Sequence, residues 1–219
     1  MSETPLPVPP TPEERLAHRL GSAPTPRRSA LVEALEQLGR VDRAIYRAIA
    51  NTPTPTLDEP LRRLSRSANN SGLWLCIAAG LFVVGGKRGR RAAVTGIAAL
   101  GVNSALVNVP MKLATRRTRP DREGAGVPSH RWVTMPTSTS FPSGHSASAF
   151  AFATAVGNEI PVLAVPLRAL AAAVAYSRVH TGVHYPGDVV VGSLVGITIG
   201  EVAGRTSRFV RRRRAGSAS

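Results

Sequence analysis

The sequence predicts an all-α protein, an integral membrane helical bundle of about five transmembrane helices preceded by N-terminal amphipathic helices. Three observations predict it. Residues 72–86, 92–110, 146–156, 160–176 and 189–203 form five apolar stretches separated by polar connections. Basic residues flank these stretches: Lys87, Arg88, Arg90 and Arg91 stand between the first two, and Arg211 to Arg214 follow the last, the pattern of segments facing anionic lipid. Finally, 43% of the chain is hydrophobic but only 5% aromatic, so its apolar residues are mostly Ala, Val, Leu and Gly, which suit close helix packing.

The elements follow in chain order. Residues 1–28 carry seven prolines and no apolar period, which predicts a disordered tail, and nothing in them has the pattern of a signal peptide. Between 29 and 50, Leu31, Leu35, Leu38, Ile45 and Ile49 recur at helical spacing among charges, and Thr56 is the expected cap of a second short helix ending at Ser67. Both helices are amphipathic, which predicts a place on the membrane surface or against the bundle; an ordinary soluble helical hairpin is the alternative. The resulting division is a Pro-rich tail (1–28), amphipathic helices (29–69), a membrane bundle (70–208) and a basic disordered tail (209–219).

None of the five apolar stretches reaches the roughly twenty residues of an unmistakable span, but each extends into its flanks. Arg168 lies inside the fourth, a position tolerated near a helix start where the side chain can snorkel. In the fifth, Gly192, Gly196, Gly200 and Gly204 fall every fourth residue, giving one nearly bare face that another helix can approach. Cys76, the single cysteine, sits in an apolar run and is expected in the core.

A formal net charge of +15 raises nucleic acid as a partner, but no aromatic-basic platform, zinc pattern or helix-turn-helix accompanies it, so no nucleic-acid partner is expected and the membrane is. The five acids after residue 70, Asp121, Glu123, Glu159, Asp188 and Glu201, are too scattered for a two-metal site. No metal and no cofactor are implied.

Three motifs carry the chemistry. Lys112 is followed seven residues on by Arg119-Pro120; then come Pro142-Ser143-Gly144-His145, and Ser177-Arg178 with His184 and Asp188 behind. A transferring phosphoryl group spreads its charge over three oxygens and needs donors fixed around them beforehand; Lys112, Arg119 and Arg178 supply cations. If the chain stays helical from Lys112, Arg119 shares its face two turns on and Arg117 points elsewhere. Ser143 or Gly144 should start a helix whose free N–H groups face an anion, with Gly144 allowing close approach and Ser143 adding a hydroxyl. His145 is placed to donate a proton to a departing oxygen. Asp188, four residues after His184, can take one ring N–H and leave the other nitrogen as nucleophile. His18 and His130 read as tail and loop residues, whereas His180 lies in a stretch expected to line the site.

The order and spacing, Lys-x6-Arg-Pro, Pro-Ser-Gly-His and Ser-Arg-x5-His-x3-Asp, resemble the type 2 phosphatidic acid phosphatase family, related to the vanadium haloperoxidases, over about a third of the chain. The resemblance implies a metal-independent membrane phosphatase acting on a lipid phosphate or diphosphate. It assigns His184 the attack on phosphorus and a phosphohistidine, Asp188 its orientation and His145 the proton. Lys112, Arg119, Ser143, Gly144 and Arg178 become phosphate ligands. The alternatives are a vanadate-dependent haloperoxidase and a lipid-binding membrane protein with a vestigial site. Phosphatidate, phosphatidylglycerophosphate, isoprenoid diphosphates and a prenyl-linked sugar phosphate remain open as substrates, with an isoprenoid carrier favoured. Both motif loops must share one membrane side, and the basic loop and tail the other, which predicts an extracytoplasmic site in the cell membrane.

Overall fold

The computed structural model describes Thr11 and residues 30–217, and the expected Pro-rich tail, Thr11 apart, lies outside them together with His18. Seven helices longer than a single turn make up the described fold, with no strand among the described residues: α1 (Ala30–Asn51), α2 (Pro55–Ser67), α3 (Gly72–Val84), α4 (Gly86–Leu106), α5 (Gly144–Glu159), α6 (Ala164–His180) and α7 (Pro186–Gly216). The chain divides after Arg40 into two compact units, and everything below concerns the second, Val41 onward.

α5 is the centre of that unit. Ser143 caps its start, Ala and Phe fill its body, and Ile160-Pro161 end it. Ala147, Ala149, Ala151, Phe152, Ala153, Ala155 and Val156 are all fully buried. α3, α4 and α6 pack around it through Trp74, Ala78, Ala92, Ala93, Leu167, Ala171 and Val174.

The glycine face of α7 meets α5. A Cβ on Gly192, Gly196 or Gly200 would lie 2.5, 2.2 and 2.7 Å from the carbonyl oxygens of Ser143, Ala147 and Ala151. Those carbonyls also recur every fourth residue, so two helices touch along bare backbone.

Each of the five apolar stretches forms a helix. Two helical segments, Pro161–His180 and Pro186–Gly216, are long and apolar enough to cross a membrane, and a third span results if the pair bent by 67° at residues 68–69 counts as one. At that bend Asn70 and Ser71 take positive φ values of 51° and 59°. Outward-facing Val83, Val84, Val162 and Val165 leave apolar side chains for lipid, and Arg168 is exposed near the start of α6.

Four local expectations differ from the structure. Cys76 is exposed, because α3 is apolar all round and its outer face needs no polar cover. The cap of α2 is Thr54, whose hydroxyl donates to Asp58 and accepts no backbone N–H. α7 continues through Gly216, past the point where the basic tail begins, since arginines are good helix formers and suit a helix C-terminus. The helix leading to Lys112 stops early. α4 widens into a π turn at Val107–Met111, where Pro110 has no N–H to give, and Thr115 is already extended.

Candidate active site

Lys112 and Arg119 therefore meet through a loop, not along a helix face. Thr115 turns the chain out of the helix by donating to the carbonyls of Met111 at 2.9 Å and Phe141 at 2.8 Å. The chain returning through residues 138–141 then supplies the meeting point. Ser138 Oγ accepts from Lys112 Nζ at 3.0 Å and from Arg119 Nη2 at 3.2 Å, while the Ser138 carbonyl accepts from Arg119 Nε at 2.9 Å.

Arg119 carries the site across to the third motif. Its Nη1 donates to the Val183 carbonyl at 2.8 Å and lies 3.2 Å from His184 Nε2. A guanidinium has only donors, so Nε2 is the accepting nitrogen and the proton belongs on Nδ1. Nδ1 faces Asp188 Oδ2 at 3.5 Å, a distance in ion-pair range but long for a hydrogen bond, and no other acceptor reaches it. Burial first, then the Arg119 and Arg178 charges, hold His184 down to about 4 against the opposing pull of Asp188. Its imidazole is neutral at physiological pH.

Asp188 is fully buried and well supplied with donors. Ser140 Oγ and the Tyr185 N–H, at 2.9 Å, bond Oδ2, and Arg117 Nη1 reaches Oδ1 at 2.8 Å. Arg117 was expected to point elsewhere; with the helix ended, it instead bridges Asp188 and Asp42 and stacks over the Tyr185 ring at 4.4 Å. Asp42 also accepts the Gly187 N–H at 2.7 Å. An α1 carboxylate thus braces the residues that hold His184.

Ser143 is the N-cap of α5, buried, with its hydroxyl oxygen 2.9 Å from Ser146 Oγ, and its own N–H donates to the Asp188 carbonyl at 2.9 Å. Gly144 and His145 begin the helix, so their amides are not used by the helix ladder. His145 Nε2 lies 2.9 Å from Asn69 Oδ1, at the bend between α2 and α3. Burial first, and then the charges of Arg178, Lys112 and Arg119, depress its proton affinity, which places those three cations within electrostatic reach of one ring.

Arg178 is 1% exposed. Its Nη1 donates to Ser65 Oγ at 2.6 Å, and its Nε has no acceptor. His184 is tied to the same residue through the backbone, its N–H donating to the Arg178 carbonyl at 3.2 Å. Among the described residues, none of Lys112, Arg119 and Arg178 makes an ion pair. Burial lowers Lys112 and Arg119 from their ordinary values, Arg119 adding to the effect on Lys112 and Asp188 opposing it at Arg119. Three clustered cations without a partner carboxylate are unfavourable in low dielectric unless an anion joins them.

His180 does not join this cluster. Its Nε2 sits 2.9 Å from Thr54 Oγ1 and 3.1 Å from Asp58, which also holds His130 at 2.7 Å and Arg131 at 2.9 Å. The sequence turned Arg117 away from the site and singled out none of Asp42, Ser65, Asn69, Ser138 and Ser140. Only Arg117 and the two serines flanking the motifs carried a local signal. No cluster of three or more His, Cys, Asp or Glu among the described residues is arranged to hold a metal.

Residues 92–212 match the PAP2 superfamily. The chain is 35% identical over 145 residues to the decaprenylphosphoryl-5-phosphoribose phosphatase of Mycobacterium tuberculosis strain H37Rv, covering 64% of this chain and 75% of that protein. It is 38% identical over 136 residues to the protein of the same name from Mycolicibacterium smegmatis, covering 60% and 68%. Two solved structures share the fold. The first transmembrane PAP2 type phosphatidylglycerolphosphate phosphatase from Bacillus subtilis superposes with a TM-score of 0.63 at 23% identity, over 80% of this chain and 88% of that one. Aquifex aeolicus LpxE gives 0.55 at 26% identity, over 73% and 92%.

Proposed function

Because the chain belongs to the PAP2 superfamily, we propose that it is a membrane phosphatase that removes the terminal phosphate of a polyprenyl-linked sugar phosphate through a phosphohistidine on His184. The observation that carries the mechanism is the Arg119–His184 contact of 3.2 Å. It fixes the tautomer with the Nε2 lone pair turned toward the unpaired cations, where an anionic phosphorus centre is drawn.

In the first step Nε2 forms a bond to phosphorus as the phosphorus–oxygen bond to the sugar breaks, and the leaving oxygen takes its proton from His145. Asp188 holds the positive charge that develops on the His184 ring. Lys112, Arg119 and Arg178, with the amides opening α5, bind the three equatorial oxygens. In the second step His145 accepts a proton from water, the water oxygen bonds to phosphorus, and the nitrogen–phosphorus bond breaks to release inorganic phosphate. Burial is the first cause of the lowered proton affinity of His145 and the cations the second; a bound phosphate opposes the cations and so favours the protonated acid. No step calls on a metal.

The mycobacterial relatives, matched over 75% and 68% of their lengths, support the sugar phosphate among lipid substrates. The arginine-rich ends of α4 and α7, opposite the site, support placing the site on the outer face of the cell membrane. Purified protein should release phosphate from a polyprenylphosphoryl pentose phosphate in chelator faster than from phosphatidate or polyprenyl diphosphate. Release only after a divalent metal is added, or full turnover by His184→Ala, would refute the mechanism. Faster release from another lipid would refute the substrate alone.

A further inference from the structure

We propose that the groove between α4 and α7 is a binding site for one anionic phospholipid, separate from the catalytic site and headed at the opposite end of the bundle. The groove has a volume of about 860 Å³, within the range of ligand sites. Val94, Val102 and Leu106 line one wall and Val202 and Val210 the other. All five are at least two-fifths exposed, so no part of the described chain covers them.

What distinguishes the groove from an ordinary lipid-facing surface is its end. Arg90, Arg91, Arg211 and Arg214 converge there. Glu159 is the acid that answers them, and it holds Arg211 at 3.3 Å while also accepting from Ser207 at 2.7 Å. Among the described residues Arg90 reaches the Phe82 carbonyl, at 3.4 Å, and the Phe82 ring, neither of them a carboxylate. Among the described residues neither Arg91 nor Arg214 is paired with a carboxylate. Several arginines at the mouth of an apolar cleft complement a phosphodiester head whose tails fill the cleft.

This is not the substrate's place. α4 and α7 run in opposite directions. Leu106 and Pro186 lie at their catalytic ends, and Arg90 and Arg214 at the other. Sixteen residues from Arg90 to Leu106 span about 24 Å at helical rise, against about 30 Å for the hydrocarbon core. The arginines and the phosphate site thus stand near opposite headgroup layers.

The test uses the full chain purified in detergent and titrated with phosphatidylglycerol or phosphatidylcholine, with bound lipid counted by native mass spectrometry and thermal unfolding followed in parallel. One phosphatidylglycerol per chain, with a raised midpoint, is expected, and phosphatidylcholine should be retained far less. The double variant Arg91→Gln/Arg214→Gln should bind phosphatidylglycerol about thirtyfold more weakly, from two arginines at membrane-surface strength, while keeping its phosphatase activity and its midpoint in phosphatidylcholine. Val102→Trp, filling the cleft, should reduce retention without touching the arginines. Equal retention of both lipids, unchanged affinity in the double variant, or a dimer whose copies cross-link through Val102→Cys would overturn the proposal, the last by giving the groove to a second copy.

Discussion

Replacing Arg117 with glutamine should slow catalysis without weakening substrate binding. Arg117 is kept from the cation cluster by its two carboxylates, Asp188 at 2.8 Å and Asp42 on its other amine. Asp188 is fully buried, and without Arg117 it keeps only the Ser140 hydroxyl, the Tyr185 amide and the His184 ring. A hydrogen bond to a charged group contributes about 1.5–3 kcal/mol. Arg117 is 31% exposed, so solvent screening places the loss toward the lower end. Asp188 must bear the charge that appears on His184 during attack, so the loss falls on the transition state, and about 1.5–2.5 kcal/mol corresponds to a kcat lower by about ten- to seventyfold. KM should hardly move. Asp42→Asn keeps an acceptor for the Gly187 N–H and removes only the charge, so its effect should have the same character and be smaller, about three- to tenfold. Arg117→Lys should recover little, because an ammonium cannot span two carboxylates as a planar fork does. The assay is steady-state phosphate release in detergent micelles, with thermal unfolding as a check on folding. An Arg117→Gln enzyme with normal kcat, or one altered only in KM, would refute the chain from Asp42 to His184.

Three further outcomes follow from the same geometry. His184 is held down to about 4, so kcat/KM should persist into mildly acidic solution and fall only as pH drops through that value, since protonation removes the nucleophile; over the window from about 6.5 to 4 the unfolded chain binds the proton and the folded one does not, so stability should also decline there, and a pH–rate profile with parallel unfolding curves checks both. Asn69→Ala removes the 2.9 Å contact to His145, and losing one hydrogen bond of about 1–1.5 kcal/mol should lower kcat about five- to twelvefold and shift the basic limb of the profile. Gly196→Ala places a Cβ 2.2 Å from the Ala147 carbonyl and should cost about 1–3 kcal/mol or more of stability in a detergent melt, whereas Gly80→Ala, with nothing within 4 Å, should be neutral or slightly stabilising.

What could be read from the sequence is what lies close along the chain. The helix starts at Ser143, the His184 to Asp188 spacing and the four glycines of α7 are local patterns, and the structure brings the named residues into one cluster with the glycine face packed on α5. The path from Lys112 to Arg119 misled because seven residues fit two helical turns, and nothing local announced that Thr115 would bond two carbonyls and leave the helix. The outer ring of the site was invisible for a different reason. Asp42, Ser65 and Asn69 come from helices whose periodicity says only that one face is apolar. Which polar residue meets Arg117, Arg178 or His145 is settled by contacts between residues 75 to 113 positions apart. His180, in a stretch expected to line the site, is drawn instead to Asp58 and Thr54 by the same helices.

The most direct measurement is rapid-quench trapping of the phosphorylated enzyme with a lipid substrate labelled in its terminal phosphate. The account predicts an acid-labile, alkali-stable label that maps to the peptide carrying His184, forms in the presence of chelator and is absent from His184→Ala. Turnover without any phosphoenzyme, or a label on another residue, would contradict it.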